Sequence, residues 1–120
     1  MESFLRIRNW VLKDSDKVGG AGSLVGWPTG SKITVHELLK LMITESDNTA
    51  TNMMIDLLGM DNINQYIREH GYSDSLLQRK MMDTQAVKEG RENLTSSHDL
   101  GQFFTLLYNK KIISAEYVTK

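Results

Sequence analysis

Ser46, Asp47 and Asn48 put a hydroxyl, a carboxylate and a carboxamide side by side. Together these groups donate, accept and carry charge, as hydrolytic and ligand-binding sites require. The same three residue types also cap helices, and on the tripeptide alone capping is the simpler reading. A lone serine hydroxyl is a weak nucleophile without an adjacent base. Any chemistry at Ser46 therefore depends on what surrounds the tripeptide.

The elements that would position it are mostly helices. Thr34 with Glu37 three residues on forms a capping box. Val35, Leu38, Leu39, Met42 and Ile43 then follow at the spacing of one buried helix face. The 46–48 tripeptide breaks that helix. A second amphipathic helix carries Ala50, Met53, Met54, Leu57 and Leu58, and Gly59 stands where a left-handed C-terminal residue is wanted. Ile63, Tyr66 and Ile67 mark a third helix that Gly71 ends. Residues 79–94 lose periodicity and are expected to form a long surface loop, a kind of segment that is often functional. Thr95, Ser96 and Ser97 cap a fourth helix with Leu100, Phe103, Phe104 and Leu107 on its face, and Ser114 caps a last one.

Residues 14–32 hold five glycines and the single proline, so they read as loop, with a short strand pair near Ser23 to Val25. Strand signals are weak elsewhere. The chain is expected to be mainly α, one partial helical domain over 1–120, with residues 1–13 a segment of open packing.

Composition narrows the function classes. Formal net charge is −1 over 120 residues, which gives no electrostatic reason to expect nucleic acid or an anionic membrane as partner. No apolar run approaches the roughly 20 residues of a membrane span. There is no cysteine, hence no disulfide or thiolate chemistry. Asp14 to Val25 begins like a calcium loop but has valine at two ligand positions, Val18 and Val25. Gly26 to Lys32 lacks the glycine spacing of a phosphate loop. His36, His70 and His98 fall on three different elements without metal-ligand spacing. No cofactor or metal is expected. Asn93-Leu94-Thr95 matches a glycosylation acceptor, a signal that carries meaning only in a eukaryotic secretory protein.

The stretch from Leu38 to Asn52 around the tripeptide resembles the second-motif region of class A β-lactamases and their penicillin-recognising relatives. Gly19-Gly20-Ala21-Gly22-Ser23-Leu24 is similar to the segment these proteins carry before the helix. Leu77 to Asp83 resembles the start of their omega loop, and Arg91 to Leu100 the helix start after it. The likeness runs in unbroken order from about residue 15 to 118. It implies the helical subdomain of the β-lactamase/transpeptidase-like fold, whose parent is α+β. It also implies roles: Ser46 relays a proton toward the leaving nitrogen, Asn48 binds the substrate's side-chain amide, and Asp47 holds the turn.

Three departures qualify the resemblance. No Ser-x-x-Lys occurs in these 120 residues, and no Lys-Thr-Gly. The nucleophile helix and the sheet strand that bear these motifs are thus expected to be missing, and the isolated chain to be inactive toward β-lactams. The third departure is Met81, which aligns with the omega-loop glutamate that activates the deacylating water. A thioether cannot act as a base, so a penicillin-binding or D-alanyl-D-alanine peptidase-like parent competes with a true β-lactamase, as does a non-catalytic helical interaction module. The implied small molecule is a β-lactam or a peptidoglycan-like peptide, met outside the cytoplasm. Without the nucleophile helix, apolar faces need another cover. Either the segment Phe4 to Leu12 fills the gap, or two chains pair through the uncovered face.

Overall fold

The computed structural model describes residues 9–108. Strand β1, Asn9–Val11, pairs antiparallel with β2, Lys32–Thr34, placing Trp10 opposite Ile33. Helices α1 (Val35–Glu45), α2 (Asn48–Leu58) and α3 (Met60–Glu69) follow with almost no connection between them. A short α4, Thr84–Lys88, interrupts the 77–94 loop, and α5 spans Ser97–Tyr108.

Local signals explain most boundaries. The Thr34 hydroxyl accepts from Glu37 N at 3.1 Å while Glu37 Oε1 accepts from Thr34 N at 3.1 Å, completing the expected capping box. α1 ends because Ser46 turns left-handed at φ 53°. Asp47 then caps α2, its Oδ1 accepting from Ala50 N at 2.9 Å. Gly59, at φ 87°, closes α2 and opens α3 in one residue. Ser96 Oγ accepts from Asp99 N at 3.1 Å at the start of α5.

The core joins β1, β2, α1 and α2. Leu12, Leu24, Ile33, Val35, Leu38, Ala50, Met53 and Met54 are buried together, with Trp10, Trp27, Leu41, Met42 and Leu57 packed against them. Each buried Leu, Ile, Val or Met of this cluster contributes about 1.5–3 kcal/mol.

Several expectations need correction. No strand pair forms near Ser23 to Val25; Leu24–Gly26 is a turn of 3-10 helix that drops Leu24 into the core. The strands lie instead at 9–11 and 32–34, each three residues long and too short to show an alternating pattern. The 79–94 segment contains α4, which Asp83 caps through Ala86 N at 3.0 Å. On α1, Leu39 and Ile43 are exposed, Ile43 at 75%. The ridge of Val35, Leu38 and Met42 meets the core, and the ridge of Leu39 and Ile43 lies a fraction of a turn away. Leu58, Tyr66, Leu100 and Phe104 are also exposed. In the N-terminal segment, Trp10 and Leu12 pack inward and Val11 points out. Phe4 and Ile7, the Leu107 side chain and the Ser114 helix lie outside the described residues.

Candidate functional site

The 46–48 turn is fastened from below by its middle residue. Asp47 is 1% exposed. One carboxylate oxygen caps α2, and the other accepts from Leu24 N at 3.0 Å. That second bond ties the turn to the glycine-rich strap 18–24. The strap must come very close: a Cβ on Gly22, at φ 109°, would overlap the Asp47 carboxylate. Asn48 N adds a bond to Ala21 O at 3.1 Å. Asp47 is thus satisfied on both oxygens, one bonded to α2 and one to the strap.

The flanking residues differ in setting. Ser46 is exposed at the left-handed end of α1. Asn48 is half-buried, and its Nδ2 donates to Gly19 O at 3.2 Å. A Cβ on Gly20, at φ 86°, would lie 2.5 Å from that same Nδ2, so a side chain there would displace the carboxamide from the strap. Thr49, next along α2, exchanges bonds of 3.1 and 3.2 Å with Val18 N and O. The tripeptide thus caps two helices, Ser46 closing α1 through its backbone and Asp47 opening α2 through its carboxylate, while Asn48 lies against the strap.

The 77–94 loop is held by side-chain amides that act in place of a strand. Asn52, buried on α2, donates to Met81 O at 3.0 Å and accepts from Met81 N at 2.7 Å. Asn64, buried on α3, does the same to Leu77, at 2.7 and 2.8 Å. Asn93 accepts from Gln78 N and Arg79 N at 2.8 and 3.1 Å and donates to Arg79 O at 3.2 Å. The carboxamide of Asn93 is thus engaged at both its oxygen and its nitrogen, which gives it a structural use. Arg79 pairs with Glu92 at 3.1 Å across the neck of the loop. The pair is partly exposed and contributes about 0–1 kcal/mol. Lys80 pairs with Asp56 of α2 at 2.7 Å.

Asn52 and Asn64 belong to no chemical motif in the sequence, and Asn93 enters only through its glycosylation triplet. Two lie on helix faces whose apolar residues dominate the pattern, and their partners are 13 to 29 residues away. The one available signal was an asparagine at an otherwise apolar helical position, as at Asn52 beside Met53.

Met81 and Met82 sit where this loop meets α2. A groove of about 180 Å³ runs there, lined by Ser15, Asp16, Asn52, Asp56, Lys80 and both methionines among others. A second, of about 210 Å³, lies between Trp10, Leu38, Met53 and Leu57. Neither takes Ser46 or Asn48 as a wall. Tyr72 is buried against the ring of Phe103, centroids 6.4 Å apart. Burial raises its phenol above the usual tyrosine range, with Tyr66 and Asp99 pushing the same way. The three histidines are exposed and scattered, and no cluster of metal-ligating side chains occurs among the described residues.

Comparison with known proteins agrees with this architecture. A family described as the beta-lactamase enzyme family matches residues 5–118. A β-lactamase from Streptomyces albus G is 32% identical over 92 residues, covering 73% of this chain and 29% of the relative. The solved β-lactamase from Sphaerobacter thermophilus DSM 20745 superposes with TM-score 0.82 at 35% identity, over 95% of this chain and 42% of that one. PBP-A gives TM-score 0.82 at 29% identity, over 96% and 42%, and a variant of it has been solved as an acyl-enzyme complex with penicillin-G. The described residues correspond to a mainly helical part of that fold, and the chain spans less than half the length of these relatives.

Proposed function

This chain belongs to the beta-lactamase enzyme family, and on that premise we propose that it supplies the helical side of a serine hydrolase site for β-lactams or peptidoglycan-like peptides. Ser46 is the proton relay and Asn48 the contact to the ligand's amide. The observation that carries this reading is the fastening of Asp47. A buried carboxylate satisfied on both oxygens fixes the turn and leaves a hydroxyl exposed on one side and a carboxamide on the other. A neutral hydroxyl can accept one proton while passing on another, as departure of a lactam nitrogen requires. The Asn48 carboxamide keeps its oxygen and a second N–H beyond the bond to Gly19.

The acylated serine is not among these residues, since no Ser-x-x-Lys occurs in them. The nucleophile is contributed by polypeptide outside the 120 residues, and the chain alone hydrolyses no β-lactam. Met81 favours a long-lived acyl-enzyme, closer to a penicillin-binding protein than to a resistance enzyme. Its backbone is held by Asn52, and its thioether offers no base for water.

Fluorescent penicillin tests the proposal. A polypeptide that reads these residues in frame with a Ser-x-x-Lys segment becomes labelled, and Ser46→Ala slows labelling by about 10²-fold. Serine-dependent nitrocefin turnover by the 120 residues alone would overturn the assignment of the nucleophile. Unchanged labelling in Ser46→Ala would overturn that of the relay.

A further inference from the structure

Met82 is unlike the other described methionines. It is 53% exposed, whereas Met53 and Met54 are 8% and 7% exposed. It also sits at φ 64°, a left-handed backbone that side-chain-bearing residues rarely adopt. Its sulfur reaches over the strap: a Cβ on Gly20 would lie 3.5 Å from Met82 Sδ and 2.5 Å from Asn48 Nδ2. The thioether and the carboxamide therefore both lie against residue 20, at the place where a side chain would otherwise stand.

We infer that Met82 is a peroxide-sensitive modification site whose oxidation acts on Asn48. The step is a two-electron oxygen transfer. A sulfur lone pair attacks one oxygen of a hydroperoxide, the O–O bond breaks as S–O forms, and the proton leaves with the second oxygen as water or alcohol. The thioether is oxidised to sulfoxide and the peroxide is reduced. A thioether is a weak acceptor, but a sulfoxide oxygen is a strong and polar one. Formed beside the Asn48 carboxamide, it accepts that group's second N–H. On the ligand role proposed above for Asn48, on which this consequence rests, oxidation occupies the donor meant for the ligand's amide. Exposure makes the sulfur reachable, and a methionine sulfoxide reductase with a thiol reductant can reverse the change.

The test needs no β-lactam, so it stands or falls apart from the hydrolase reading. The protein is treated with dilute hydrogen peroxide and each methionine is followed by peptide mass spectrometry. Met82 gains one oxygen at least about fivefold faster than Met53 or Met54. In ¹⁵N-labelled protein, the Asn48 side-chain NH₂ resonances shift in step with that oxidation and return on enzymatic reduction. Met82→Leu, which keeps size and backbone demands, abolishes the shift while Met53 and Met54 behave as before. Oxidation of Met82 no faster than of the buried methionines overturns the site. An Asn48 signal that stays still, or moves equally in Met82→Leu, overturns the coupling. If the shift occurs but fluorescent penicillin labels neither form of the longer polypeptide, the modification site stands and the hydrolase reading fails.

Discussion

Asn52 and Met81 exchange two hydrogen bonds, the carboxamide donating to Met81 O at 3.0 Å and accepting from Met81 N at 2.7 Å. Removing the carboxamide strands two backbone groups at a part-buried contact. Asn52→Ala is expected to cost about 2–3 kcal/mol, measured by urea unfolding, with faster amide exchange in residues 79–83. Asn52→Asp keeps an acceptor for Met81 N but sets a carboxylate against Met81 O, so it too is destabilised. Wild-type exchange rates in either variant would contradict the pinning.

Gly22, on the strap, and Gly26, at the end of the 3-10 turn that follows it, should behave oppositely. Gly22→Ala places a methyl on the Asp47 carboxylate at φ 109° and should cost about 3 kcal/mol or more. Gly26 has open space around it and ordinary backbone angles, so Gly26→Ala should raise stability by about 0.5 kcal/mol. Thermal melts of the two variants check the contrast.

Tyr72 links stability to alkaline pH. Its folded pKa is raised by burial, with Tyr66 and Asp99 adding to the shift. Above about pH 10 the unfolded chain loses the phenolic proton while the folded chain keeps it. The unfolded state then binds fewer protons, so stability falls as pH climbs from the unfolded toward the folded pKa. Tyr72→Phe should flatten that fall, as read from urea midpoints on both sides of pH 10.

Met81→Glu tests what the loop lacks. In a polypeptide bearing the Ser-x-x-Lys serine, it would place a carboxylate on a backbone already held by Asn52. The penicilloyl-enzyme lifetime should shorten by about 10²-fold, measured as loss of the covalent mass with time. An unchanged lifetime would place the missing base elsewhere.

The features legible in the sequence are those encoded within a turn or two of chain. The Thr34–Glu37 box, the Gly59 stop and the break at 46–48 depend on neighbours three or four residues away. What escaped depends on distant partners. Trp10 meets Ile33 across an antiparallel pair whose strands are three residues each. Asn52 finds Met81 29 positions on. The short α4 is concealed in a charged tract, although Asp83 is a fair cap signal in hindsight. At the site itself, a helix cap within 46–48 is a local signal, but the bond from Leu24 N to Asp47 is not, because nothing nearby announces that the strap will cross there.

The clamps on the 77–94 loop grip main-chain atoms of Leu77, Arg79 and Met81. Whatever residue other than proline occupies position 81, the amide and carbonyl that Asn52 grasps are still present. Attachment and reactivity are thereby uncoupled. The identity of residue 81 becomes a free variable that mutation can sample without detaching the loop, and a descendant could gain or lose a base there in a single substitution.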